Sequence, residues 1–278
     1  MTEAGGGLGA LLALDFFRDA LVASLLASVL CGVVGTLVVL KRLVSIAGGV
    51  AHAAFGGLGV AYWAGADPRL GALAVAAFSA VALGMLERER VRRLDAAIGV
   101  LWAVGMAVGL VFLHWTPGYA PDLLAYLFGN ILLLGPSDLA LAGAAVVAVL
   151  VLLAWRGREL VAVAFDEEAA RLQGLRTRAY GILLLLLAAV SVVVLLQLVG
   201  IVLAVALLTL PPLAALRLAR SIAGVVALAT ATCLAMTVGG LLLSWTLDLP
   251  SGPVMVLLGA TLLGLAQLAP RRRSRARA

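Results

Sequence analysis

Charge is scarce in this chain: 12% of its 278 residues are Asp, Glu, Lys or Arg, against about 25% in a soluble domain. That excludes a fold with a fully solvated surface and makes the bilayer the solvent to reason with. Histidine and cysteine number two each. Cys31 and Cys233 lie inside apolar runs with no CxxC or Cys/His partner nearby, so they read as inert packing thiols. No Gly-x-x-x-x-Gly-Lys-Ser/Thr loop is present, and the chain cannot bind and hydrolyse ATP by that route. No His/Glu pair at helical spacing makes a metalloprotease site, and no Ser/His/Asp set stands out. Intramembrane catalysis has little to work with, which leaves movement of something across the membrane as the better class of function.

What the sequence has is apolar length: 64% of the residues are hydrophobic, and they fall into repeated runs of the ~20 residues that an α-helix needs to cross ~30 Å of hydrocarbon. The fold class expected is all-α, a polytopic transmembrane helical bundle of eight or nine spans filling residues 1–278 as one domain. The opening MTEAGGGLGALLALDFF lacks the positive stretch of a secretory signal, and the run 21–40 ends in Lys41-Arg42 rather than a cleavage site. A retained first helix with its amino terminus outside is the reading.

Placing Lys41-Arg42 in the cytoplasm fixes an orientation that the other loops test. Spans at 46–64 and 70–86 put Asp67 and Arg69 outside and the basic run 87–93 inside. A span at 96–113 leads out to a loop with Trp115, Tyr119 and two prolines, suited to an outer interface. The stretch 123–134, cut by Gly129 and by Gly135-Pro136, is too short to cross and reads as re-entrant or interfacial. Residues 139–155 return inward to the longest polar stretch, 156–178. Spans at 180–198, 201–210, 225–247 and 254–268 follow, with a break expected at Val199-Gly200 and again at Pro211-Pro212. Of the 20 basic residues only Arg18 and Arg69 fall outside the inner set. The net charge of +6 thus belongs to the positive-inside pattern and an anionic leaflet, not to nucleic acid. The carboxy terminus is expected to be cytoplasmic.

Three constellations carry chemistry. In the second span Gly48, His52, Phe55, Gly56 and Gly59 share a helix face, and the glycines turn that face into the bundle. His52 there has two readings: a neutral imidazole that contacts a passing divalent cation, or a packed histidine that donates one hydrogen bond to a neighbouring helix. From spacing alone the packing reading leads, since one histidine without a second ligand makes no metal site. Asp166, Glu167, Glu168, Ala169 and Ala170, closed by Gly174 and Leu175, read as a short capped helix in the inner loop, placed either to dock in a groove of a soluble partner or simply to link two spans. Tyr126 and Asn130, four apart, line a path or hydrogen-bond between helices.

At these residues the chain resembles the integral membrane subunits of the zinc/manganese group of ABC importers. The matching pieces are Gly35 to Arg42 leading to Ala51-His52-Ala53, then Tyr126 to Leu132, Phe165 to Leu175, Val199 to Leu203 through Leu210-Pro211-Pro212, and Asp248 to Pro253. Each is weak alone, and their order and spacing make the match specific. The resemblance implies a multi-pass permease of the cell's inner membrane, paired with a second copy or a paralogue, two cytoplasmic ABC ATPase subunits that use the ATP, and an extracytoplasmic metal-binding protein. No cofactor is bound permanently, and the divalent ion, zinc, manganese or iron, is cargo. It further implies that the 166–175 helix couples to the ATPase and that His52 lines the path as a transient metal ligand. Many relatives carry Asp four residues before that histidine; here the position is Gly48, so a His/Asp gate does not carry over intact. A permease for a metal chelate or a vitamin B12-like substrate, and a stand-alone carrier, are the alternatives.

Overall fold

The computed structural model describes residues 13–85, 91–117, 129, 131 and 134–269, and among them every regular element is a helix. In chain order these are α1 (Asp15–Leu40), α2 (Val44–Trp63), α3 (Pro68–Met85), α4 (Val91–Trp115) and α5 (Pro136–Phe165). The short α6 (Glu167–Leu172) is followed by α7 (Thr177–Val199), α8 (Ile201–Leu218), α9 (Ile222–Leu247) and α10 (Ser251–Leu268). Among the described residues nine helices are long and apolar enough to cross a membrane. The six-residue α6 is not among them.

The bundle is layered around three helices. The most apolar stretches of α1, α2 and α7 are 67%, 72% and 72% buried, whereas those of α4, α5 and α10 are 17%, 17% and 22% buried. Sequence alone gives no such ranking, because lipid tails are as apolar as leucine and do not drive helices together. Small residues do. A Cβ on Gly56 of α2 would lie 2.7 Å from the carbonyl oxygen of Gly105 in α4, and Gly59 is as close to Gly109. On another face of α2, Gly57 and Gly71 of α3 approach each other so closely that a side chain on either would overlap the other's carbonyl. Backbones in direct contact on two sides hold α2 between α4 and α3.

Several boundaries differ from the sequence reading. The first helix begins at Asp15, with Asp15 in its first turn where the helix dipole favours an acid, and Phe17 and Ala20 are already buried. It carries a π-helical segment, Cys31–Gly35, where it presses on α8 and α9: Gly32 fits only because it has no side chain against Thr230, and Gly35 only for the same reason against the Leu208 carbonyl. The polar stretch after Trp155 is helical as far as Phe165, kinked at Arg156 (φ −125°, ψ 15°), whose guanidinium lies 4.5 Å over the Trp155 ring. A helix satisfies its own backbone in water as in lipid, so charge does not end it.

The break expected at Pro211-Pro212 is absent, because α8 runs through both prolines to Leu218. Neither proline can donate to the carbonyl one turn back, but the Leu208 carbonyl faces Gly35, which leaves room for it. The break at Gly200 is present. Its φ of 80° and ψ of 168° form a conformation open essentially to glycine alone, and this single residue joins α7 to α8. Gly129, at φ 64°, lies against that junction with no space for a Cβ beside Val199 and Gly200. The rest of the 123–134 segment bears on the re-entrant expectation, but of it only Gly129, Ile131 and Leu134 are among the described residues.

Candidate translocation and coupling sites

His52 is half-buried on the flank of α2 that turns toward α4. Its Nδ1 lies 2.8 Å from the carbonyl oxygen of Gly48 on its own helix, and its ring centroid lies 4.6 Å from that of Trp102. A carbonyl oxygen only accepts, so Nδ1 carries the hydrogen of this contact, which in the uncharged form of the ring leaves the lone pair on Nε2. That is the tautomer a passing cation can use. The hydrogen bond runs within the helix rather than to a neighbour. Gly48 borders open space, with nothing within 4 Å of where a Cβ would stand. Phe55, Gly56 and Gly59 are fully enclosed against α4, so the face read from the spacing divides into a packed half and a half carrying Gly48 and His52. No group of three or more His, Cys, Asp or Glu that could hold a metal ion occurs among the described residues. One imidazole does not make up the three or four protein ligands of a resident metal centre. Tyr126 and Asn130 lie outside the described residues.

The second site is α6. Asp166 is its N-cap, accepting from the Ala169 N–H at 2.9 Å, and Glu167 and Glu168 occupy the first turn. At the other end Gly174 takes φ 81°, and the Leu175 N–H reaches back to the Ala170 carbonyl at 3.1 Å, the bond that closes a glycine-stopped helix. Ala170, 1% exposed, seats the helix on the bundle. The two acids then part company. Glu167 turns inward and pairs with Lys41 beside the start of α2, while Glu168 stays exposed. Phe165 is 73% exposed and Leu172 is 87% exposed, two large apolar groups flanking a polar element. Neither was chosen as a site residue from sequence. The sequence signal for them is two large apolar side chains bracketing a run of acids. In the sequence Lys41 stands out as a marker of sidedness and as part of the Gly35 to Arg42 piece, with no sign of its partner Glu167.

At the opposite end of the bundle Arg69, in the first turn of α3, pairs with Asp138 at the start of α5, and Asp138 also accepts from the Gly135 N–H at 2.9 Å.

Comparison with known proteins covers nearly the whole chain. The ABC 3 transport family matches residues 13–269. The uncharacterized membrane protein slr2045 of Synechocystis sp. is 36% identical over 258 residues, 93% of this chain and 92% of that protein. The manganese transport system membrane protein MntC of Halalkalibacterium halodurans is 31% identical over 256 residues, 92% of this chain and 88% of that one. Among solved structures, a chain of PsaBC from Streptococcus pneumoniae in complex with Fab superposes with a TM-score of 0.86 at 25% identity, covering 96% of each chain.

Proposed function

We propose, from the premise that this chain belongs to the ABC 3 transport family, that it is the membrane-spanning subunit of an ATP-driven importer of divalent metal ions. The observation that carries this reading is α6, a short helix fixed at both ends, with Leu172 at its close and Phe165 at the end of α5 just before it both left exposed. Two such side chains find their burial in the groove of a partner, and the partner that must supply ATP hydrolysis is an ABC ATPase, since this chain has no phosphate loop. The basic end, with Lys41, Arg42 and Arg217, faces the cytoplasm. An extracytoplasmic binding protein then delivers the ion at the Arg69 end.

The path runs beside His52, between this chain and a second permease. A single neutral imidazole holds a divalent ion weakly enough to let it go, which suits passage. The manganese relative makes manganese the first metal to test, with zinc and iron beside it.

The test is metal content in cells with and without the gene, with manganese, zinc and iron made scarce in turn. Loss of one ion, restored by the wild-type chain and not by L172D, is the expected result and names the cargo. Unchanged content of all three overturns the metal-ion reading in favour of an organic chelate.

A further inference from the structure

Lys41 stands where three elements meet. Its Nζ donates to the carbonyl oxygen of Val163 at 2.9 Å and pairs with the Glu167 carboxylate. Val163 lies in the last turn of α5, whose final carbonyls have no donors within the helix, and Glu167 opens α6. One ammonium therefore spans Asp166, the extended residue (φ −147°, ψ 100°) at which the chain turns from α5 into α6. The pair is largely withdrawn from water, the two side chains being 13% and 18% exposed. An exposed pair would be screened by salt; this one is largely shielded from that screening.

The backbone that carries Lys41 has no slack. Residues 41–43 alone join α1 to α2. The Leu43 N–H bonds the Val38 carbonyl at 2.8 Å and the Arg42 N–H bonds that of Val39 at 3.1 Å. Arg42 takes the left-handed conformation, at φ 59°, that usually falls to glycine in such a stop. The Leu43 carbonyl already accepts from Ala47, so α2 begins where the stop ends. His52 follows about 12 Å further along α2 at 1.5 Å per residue. An open pocket of about 520 Å³, lined by Arg42, Ser45, Ile98 and Phe165 among others, adjoins the pair.

We propose that Lys41 is a positioning residue that carries displacement of α6 into α2, and so to His52, and that its pair with Glu167 sets how many ions are imported per ATP hydrolysed. The inference rests on α6 being the dock for the ATPase.

The experiment uses the assembled importer, with its ATPase and binding protein, in lipid vesicles, and measures imported manganese and hydrolysed ATP together. K41M is expected to lower ions per ATP by about tenfold, because the pair is broken with one charge left half-buried. K41R, which keeps charge and donors, stays within about threefold of wild type, and the isosteric E167Q falls between. The double variant K41M/E167Q is no worse than K41M, as members of one pair are not additive. K41R and E167Q keep the local volume and carry the test if K41M fails to assemble. A wild-type ratio in both K41M and E167Q, or in K41R no better than in K41M, overturns the proposal. L172D separates it from its premise: if the ATPase still co-purifies with L172D, the reading of α6 as the dock fails; if the ATPase is lost while K41M keeps the wild-type ratio, only the role of Lys41 fails.

Discussion

The long helix α5 is tied at each end to the segments flanking α2, and the two ties are built differently. At its start Asp138 serves its own helix, accepting from the Gly135 N–H, while it pairs with Arg69, a side chain 36% exposed that also reaches Ser137 Oγ at 3.5 Å. At its end the tie comes from Lys41, which is 13% exposed and serves α5 and α6 at once. Water can replace much of what Arg69 loses if Asp138 is neutralised. It cannot reach Lys41 as easily. The difference separates an anchor, which only has to hold, from a link, whose loss is felt wherever α6 is meant to be heard.

The largest expected effect on stability lies at the Arg69 end, in backbone rather than charge. Gly129 sits at φ 64° with a Cβ excluded by Val199 and Gly200. G129A is expected to destabilise the fold by about 2–4 kcal/mol, combining left-handed strain with overlap against backbone that cannot move aside. The readout is the melting temperature of the purified protein in detergent, and an unchanged value would remove the contact between the two chain breaks.

D138N tests the anchor directly. Asparagine keeps a cap for Gly135 but loses the charge pair, and with Arg69 partly exposed the expected loss is about 1 kcal/mol or less. Thermal unfolding should show a small decrease, with ions imported per ATP unchanged. A fall in that ratio as large as in K41M would erase the distinction between the two ends.

Between them, G48D tests the path. With nothing within 4 Å of a Cβ at this position, an aspartate fits one helical turn before His52 and changes stability by no more than about 1 kcal/mol. The added hard oxygen ligand should tighten metal retention and slow release, lowering the uptake rate by roughly threefold, on the rule that equal strengthening of a bound state does not speed passage through it. Equilibrium manganese binding measured beside uptake checks it, and faster uptake would contradict the reading of a weak transit ligand.

Much of this architecture was legible because in a membrane the two strongest signals, apolar length and the sidedness of Lys and Arg, are one-dimensional. They located nine spans and their order. They failed where three dimensions decide. Pro211-Pro212 looked like a stop because the local rule is strong, yet the helix runs through both, with Gly35 of α1 leaving room for the Leu208 carbonyl that Pro212 cannot bond. The charges after Trp155 looked like a loop because hydropathy measures where lipid ends, not where a helix ends. The 166–175 helix was legible from its own caps, whereas the inward turn of Glu167 and the outward turn of Leu172 depend on what α6 rests against. Lys41 was visible as a charge and invisible as a link, since its acceptors are more than a hundred residues away along the chain: Nζ reaches Val163 at a separation of 122.

That last residue has a neighbour that makes the sharpest control, and the smallest effect. Arg42 carries the same charge in the same turn but is exposed, and its backbone rather than its guanidinium closes the turn, at φ 59°. A non-glycine residue in this conformation costs roughly 1 kcal/mol, so R42G should raise stability by about that amount or less while leaving ions per ATP at the wild-type value. K41M should do the reverse, leaving the turn intact and lowering the ratio. If both substitutions lowered the ratio alike, the basic character of the loop would be what matters and α6 would have no tether. If only K41M does, two adjacent cations that the positive-inside rule treats as equal are separated by what each one touches.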